Sequence, residues 1–335
     1  MKKFARKEQI ERVIAEIESL ELKPVPLYGT ERTVIAVIGD ERPVDQHKIH
    51  SFEGVDDVMA ILNPFKLASR ETKHESTVID LGDGITVGGK RIAMMAGPCA
   101  VESEEQMDQA AAAVSKEGAQ ILRGGAYKPR TSPYSFEGLK EEGLPIIRKT
   151  ADKYGMKVVT EVLDTRDIEN VYKYADIFQI GTRNMQNFNL LKEVGKTNRP
   201  ILLKRGMSAT IKEFLLAAEH IMMNGNAQVI LCERGIRTFE TATRNTLALD
   251  TVPLIKELSH LPIVVDPSHS TGKPSLVSPM VKAAVACGAD GLLIDVHPNP
   301  QEALCDGDQA IKPDTFAQMM KELDPIAKAV GRTVK

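Results

Sequence analysis

The 335-residue chain has no excess of one charge sign: 43 lysines and arginines stand against 46 aspartates and glutamates, a formal net charge of −3. That excludes a diffuse basic field of the kind that draws in nucleic acid, so any anion site has to be local. No apolar run is long enough to span a bilayer, and the opening MKKFARKEQIERV is charged, so neither a membrane span nor a signal peptide is expected. The four cysteines, Cys99, Cys232, Cys287 and Cys305, are widely spaced and form no CxxC pair. This speaks against a disulfide framework and for reduced thiols, hence a soluble cytoplasmic protein.

The length suits about two domains. Ile10, Val13, Ile14, Ile17 and Leu20 recur at helical spacing, and Thr33–Ile38 alternates like a strand that Gly39 and Asp40 end. A second amphipathic segment, Val55–Leu62, precedes Pro64 and the run FKLASRE, which completes a small α/β unit over residues 1–75. Residues 76–91 carry VIDLGDGITVGGKRI, two short alternating runs around Gly-Asp-Gly. They read as a hairpin linker, placed at a barrel floor or serving as a hinge.

Over 92–335 the pattern changes to short apolar runs, each followed by a helix-length amphipathic segment. The runs are IAMMAG (92–97), AQILRGG (119–125), KVVTEV (157–162), DIFQIG (176–181), PILLKRG (200–206), AQVILCERG (227–235), PIVVDPS (262–268) and GLLIDV (291–296). Eight βα repeats predict a parallel (β/α)8 barrel. An open doubly wound sheet is the alternative, and the first run lacks the GxGxxG that would favour it.

Barrel sites form at the carboxyl ends of the strands. The richest such end is LRGGAYKPRTSP (122–133), where Arg123, Lys128 and Arg130 crowd around a Gly-Gly pair and Pro129. Buried cations require anionic partners, glycines admit a ligand close to the backbone, and proline stiffens the turn. A solvated basic turn is the competing reading, and the other strand ends weigh against it. Arg183, Lys204 and Arg234 fall at the ends of the fourth, fifth and sixth runs, where three cations can surround one phosphate. Arg123 and Lys128 are then available for a second anion such as a carboxylate. Cys99, His269, Asp295 and Asp306, from the first, seventh and eighth runs and the loop after the last, form a mixed donor set suited to a divalent transition ion. A buried apolar thiol and a hydrogen-bonded core histidine are the plainer readings of Cys99 and His269. His297 is an alternative ligand or proton carrier, and Cys305 a further candidate thiol.

With GPCAVES (97–103), LRGGAYKPRTSP, QIGTRNMQN, LLKRG, ILCERGIRTFE, VVDPSHSTG and DVHPNP in this order, the chain resembles the type Iβ 3-deoxy-D-arabino-heptulosonate 7-phosphate (DAHP) synthases over the whole barrel. The resemblance implies a metal-dependent condensation of phosphoenolpyruvate with erythrose 4-phosphate, the entry step of the shikimate pathway. It implies metal ligands at Cys99, His269, Asp295 and Asp306, with Mn2+, Fe2+, Co2+ or Zn2+ as the ion. Phosphoenolpyruvate phosphate contacts fall at Arg183, Lys204 and Arg234, and its carboxylate contacts at Arg123 and Lys128. Arg130, Thr131 and Ser132 would take the erythrose 4-phosphate phosphate, with Asp266 near the sugar. Lys128 is the expected proton donor, with Glu161 and a metal-bound water as its rivals, and His269 also in the catalytic set.

Two departures from that family stand out. Its strand-8 metal carboxylate is usually Glu, one methylene longer than Asp295, so an altered metal preference is expected. Its N-terminal ferredoxin-like regulatory domain usually opens with a strand, where here only MKKF precedes the first helix. That domain implies feedback inhibition by Tyr or Phe, and the family implies a homotetramer; no nucleic-acid or membrane partner is expected. The nearest rival is 3-deoxy-D-manno-octulosonate 8-phosphate synthase, whose loop after the second strand typically reads Lys-Ala-Asn-Arg-Ser-Ser against Lys128-Pro129-Arg130-Thr131-Ser132 here. A Schiff-base aldolase using Lys204 or Lys128, and a barrel kept only as an amino-acid sensor, are the more distant rivals.

Overall fold

A computed structural model describes residues 1–29, 32–39, 44–59 and 64–334. The chain divides into two compact units, Met1–Ser76 with Glu257–His260, and Thr77–Lys256 with Leu261–Lys335. No helix among the described residues is long and apolar enough to cross a membrane.

In the first unit, helix α1 (Lys7–Ser19) buries Ile10, Val13 and Ile17 on one face, and the Gln9 side chain accepts from the Arg6 N–H to close its first turn. Strands β1 (Lys23–Tyr28) and β2 (Thr33–Ile38) pair antiparallel from Lys23↔Ile38 to Tyr28↔Thr33. Helix α2 is Gln46–His50, ahead of the amphipathic segment expected at Val55–Leu62. Asp45 sets its start by accepting from the His47 and Lys48 N–H groups, a cap that outweighs the polar sequence QHKIH. Val55–Met59 is not helical, while Asp40 and Ala60–Leu62 lie outside the described residues. Among the described residues no strand precedes α1. Instead the Met1 ammonium donates to the Thr33 carbonyl at 2.9 Å, and the Lys2 N–H to the Gly54 carbonyl at 2.7 Å. Val13, Ile17, Leu22, Ile49 and Val55 make the core.

His260, buried in this unit, has Nε2 at 2.8 Å from the Leu67 carbonyl. Burial pushes its pKa down to about 4 against the opposing pull of that carbonyl, with Lys73 and Arg70 adding to the depression. A base whose folded pKa is depressed is outcompeted for protons by the unfolded chain. Stability is therefore lost as pH falls from about 6.5 to about 4, by an amount on the order of 2–3 kcal/mol. The first thermal transition should drop steeply across that window and flatten below it, and His260→Gln should remove most of the slope. An unchanged slope in that variant would refute the assignment.

The second unit is a closed barrel of eight parallel strands: β5 (Ala93–Gly97), β6 (Ile121–Arg123), β7 (Lys157–Glu161), β8 (Ile177–Ile180), β9 (Ile201–Lys204), β10 (Val229–Glu233), β11 (Ile263–Val265) and β12 (Gly291–Asp295), with β12 pairing back onto β5. All eight expected runs hold a strand, each shorter than its run, and residues beyond the carboxyl ends leave the ladder towards the mouth. The strands are buried on both faces, as parallel strands covered by helices must be. A hairpin of β3 (Ile79–Asp80) and β4 (Thr86–Val87) packs Ile79, Ile85 and Val87 against Ala93, Met95, Ile121, Ile177 and Ile230, which lie at or near the amino ends of their strands. It therefore closes the barrel floor.

Candidate active site

At the opposite end lies a cavity of about 320 Å³, lined among the described residues by six cationic side chains, Lys128, Arg130, Arg183, Lys204, Arg234 and Arg244, against two carboxylates, Glu161 and Asp306. In a chain of net negative charge this is a strongly positive local field. Side-chain direction at the strand ends decides which charges enter it. Lys204 ends β9 and points inward, its Nζ 2.7 Å from Asp266 Oδ2. The next residue, Arg205, points away. Its Nη1 donates to Glu233 Oε2 at 2.8 Å and to Thr251 Oγ1, and its Nε donates to the Ala209 carbonyl, so this cation is fully engaged behind the wall. Arg234 donates only to backbone carbonyls, those of His269 and Gly235. Arg183, on the turn after β8, is exposed. Neither arginine has a carboxylate partner among the described residues, which leaves both free for an incoming anion.

Lys128 is buried, with Nζ 3.2 Å from Cys99 Sγ and 3.9 Å from Glu161 Oε2. Burial alone would lower its pKa, but the Glu161 carboxylate and the neighbouring thiols outweigh it and raise it. Glu161 reaches the cavity past Gly181, where an added Cβ would collide with its carboxylate. Arg130 is half-buried, and Thr131 and Ser132 lie exposed at the rim.

Below the cations, Cys99 Sγ, His269 Nε2 and Asp306 Oδ2 converge. The sulfur is 3.1 Å from the carboxylate oxygen and 3.7 Å from the ring nitrogen, and the last two are 3.6 Å apart. A short helix, Pro267–Thr271, presents the histidine. Asp266 caps it by accepting the His269 N–H at 2.9 Å, Pro267 opens it, and Gly272 ends it in the left-handed conformation. His269 Nδ1 stands 2.9 Å from Asp266 Oδ2, which turns Nε2 towards Cys99 and Asp306. Asp306 itself sits at φ 53°, a conformation aspartate tolerates better than most residues. Burial pulls the His269 pKa down, yet Asp266 and Asp295 overcome this and raise it to about 10. Cys99, hydrogen-bonded to Cys305 and buried, is pushed well up, while the same hydrogen bond, with Lys128 nearby, lowers Cys305. A soft thiolate, an imidazole with its second nitrogen against a carboxylate, and a hard carboxylate fit a divalent transition ion.

Three expected site residues are held by neighbouring side chains. Arg123 does not line the cavity: its Nη1 donates to the Pro98 carbonyl at 2.9 Å and lies 2.7 Å from Asp295 Oδ1. Asp295 is not among the three converging donors, because Arg123 engages one of its oxygens and Gln309 Nε2 donates to the other at 2.6 Å. Asp266 is fully buried between Lys204 and His269 and orients both. His297 is likewise no ligand of this group. Its Nε2 lies 3.4 Å from Glu102 Oε2, and Glu102 Oε1 accepts the Leu304 N–H, so the pair anchors the loop that carries Cys305 and Asp306.

Sequence reading missed Arg244 and Gln309. Arg244 Nη1 lies 3.3 Å from Asp306 Oδ1 and donates to Gln309 Oε1 at 2.7 Å, tying Asp306 to the loop after β10. The motif ILCERGIRTFE stops four residues short of Arg244, and nothing local distinguishes this arginine from a solvated one.

Residues 70–329 match the DAHP synthetase I family, and residues 1–63 match the DAHP synthase ferredoxin-like domain. The chain is 52% identical to a phospho-2-dehydro-3-deoxyheptonate aldolase of Thermotoga maritima, over 99% of this chain and 98% of that one. It is 32% identical to a 2-dehydro-3-deoxyphosphooctonate aldolase of Francisella tularensis subsp. holarctica, over 73% of this chain and 96% of the other. A crystal structure of the Thermotoga maritima DAHP synthase superposes with a TM-score of 0.80 at 51% identity, covering all of this chain and 98% of that one. A truncated form of the Thermotoga enzyme covers 81% of this chain with a TM-score of 0.76.

Proposed function

The chain belongs to the DAHP synthetase I family, and from that premise we propose how its side chains carry the family's reaction. The enzyme is a 3-deoxy-7-phosphoheptulonate synthase. It condenses phosphoenolpyruvate with D-erythrose 4-phosphate to give DAHP and inorganic phosphate.

The observation that carries the assignment is the cation-lined mouth directly above the Cys99, His269 and Asp306 donors. Arg183, Lys204 and Arg234 bind the phosphate of phosphoenolpyruvate, two of them having no competing carboxylate partner among the described residues. The carboxylate of phosphoenolpyruvate falls to Lys128, since Arg123 is engaged by Asp295. Arg130, Thr131 and Ser132 take the phosphate of the aldose at the rim, which brings its aldehyde inward towards the donors. Cys99, His269 and Asp306 would hold a divalent ion, which when bound would supply Lewis-acid chemistry at the aldehyde. C3 of the enol phosphate attacks the aldehyde carbon, and Lys128, charged and inside the cavity, delivers the proton to the new hydroxyl. Glu161 is its alternative. Positive character at C2 is quenched by water, and the hemiketal phosphate collapses by C–O cleavage while the arginines hold the departing phosphate.

Phosphate release from phosphoenolpyruvate should require erythrose 4-phosphate, fail with arabinose 5-phosphate, and stop with chelator. Release with arabinose 5-phosphate alone would move the assignment to the octulosonate enzyme, which the 29–32% identical relatives represent. The match of residues 1–63 to the ferredoxin-like domain supports feedback inhibition, so Tyr or Phe added to the same assay should slow release. A cytoplasmic homotetramer completes the proposal, with light scattering as its check.

A further inference from the structure

We infer that Cys305, and not the strand-end carboxylate Asp295, is the fourth protein ligand of the divalent ion, making this a two-thiolate site. The inference rests on the metal reading above and asks which side chain completes the set. Cys99, His269 and Asp306 offer three donors, and a tetrahedral ion needs one more from the protein or from solvent.

Asp295 is poorly placed to supply it. Its Oδ2 accepts from the Gln309 amide at 2.6 Å, while Oδ1 is ion-paired with the Arg123 guanidinium at 2.7 Å without an aligned hydrogen bond. Oδ2 also faces His269 on its Nδ1 side at 3.5 Å, whereas the converging donors gather on the Nε2 side. Drawing Asp295 to the ion would strip a buried arginine of its carboxylate, which is costly.

Cys305 has the better geometry. Its Sγ lies 3.7 Å from Cys99 Sγ, and the residue is buried. Two thiolates on one tetrahedral zinc, each about 2.3 Å from it, stand about 3.8 Å apart, so the sulfur–sulfur edge is already near its bound length. Cys305 stands outside the mutually converging trio, because Arg130 Nη1 donates to its sulfur at 2.7 Å. Ligation turns the Cys305 side chain from that guanidinium towards the other donors and frees Arg130 for the aldose phosphate. Soft sulfur ligands favour zinc over the harder manganese, so the second thiolate sets the metal preference.

The test uses the full chain loaded with Zn2+ or Co2+. X-ray absorption at the zinc edge should count two sulfurs at about 2.3 Å in the unaltered protein, a reading that needs no variant to fold. The thiolate-to-cobalt absorption band should fall about twofold in Cys305→Ser and stay in Asp295→Asn, since it scales with the number of bound thiolates. The Zn2+-over-Mn2+ preference should also fall in Cys305→Ser. One sulfur at the zinc, or a cobalt band indifferent to Cys305→Ser, overturns the inference and leaves the three-donor reading standing. A protein that binds neither Zn2+ nor Co2+ overturns both.

Discussion

Stripping the divalent ion from the enzyme is expected to lower the rate of DAHP formation by about a thousandfold or more, the scale set by losing several kcal/mol of charge stabilisation at the aldehyde oxygen. Chelated wild-type protein should recover on adding back Zn2+, Co2+ or Mn2+, and Cys99→Ser should not. The contrast follows from where Cys99 sits. Its sulfur is the point shared by Asp306 at 3.1 Å, His269 at 3.7 Å and the Lys128 ammonium at 3.2 Å. Serine keeps the volume but presents a hydroxyl that stays protonated, so the softest donor is lost without disturbing the packing of the strand end. Phosphate release that persists at full rate in exhaustively chelated protein would remove the metal from the mechanism.

The second large effect is expected at Lys204. Lys204→Met removes one phosphate contact and also leaves Asp266, fully buried, without its ammonium partner 2.7 Å away. The first loss should cost about 10²–10³ in kcat/KM. The second should cost stability too, by less than the roughly 3–5 kcal/mol of a fully broken buried pair, because His269 Nδ1 still faces Asp266 at 2.9 Å. The two losses are separable. In Lys204→Met/Asp266→Asn the stranded charge is gone, so most of the stability should return while the activity stays low. Arg205→Met supplies the counterpart. It breaks an equally buried pair with Glu233 at 2.8 Å outside the cavity, so the thermal midpoint should fall while KM for phosphoenolpyruvate holds. Equal KM values in the Lys204 and Arg205 variants would mean that Lys204 does not face the substrate.

These adjacent cations mark the boundary between what was legible in the chain and what was not. The barrel could be read because its signal is local: each strand is a short apolar run buried on both faces, and each run lies a helix-length from the next. The family was legible because whole blocks such as VVDPSHSTG recur in order, and the trio Cys99, His269 and Asp306 came with them. Lys204 and Arg205, by contrast, look alike in LLKRG. Their separation follows from strand direction, since successive side chains point to opposite faces and only one meets the cavity.

The partnering of charges was likewise decided in three dimensions. Arg123 looked like a substrate contact and Asp295 like a ligand. Closure of the barrel pairs β12 with β5, which in turn pairs β6, so Asp295 and Arg123 meet at 2.7 Å across the end of β5 and engage each other. Arg244 and Gln309, silent in the sequence, reach Asp306 and Asp295 only because the loops after β10 and β12 fold over the same mouth. Periodicity determined that this chain forms a barrel, and the strand-end residue types that its cations gather at one end. Which cation remains free for substrate was settled by tertiary structure, because Coulombic pairing falls off within a few ångströms and depends on distances that only the closed barrel sets.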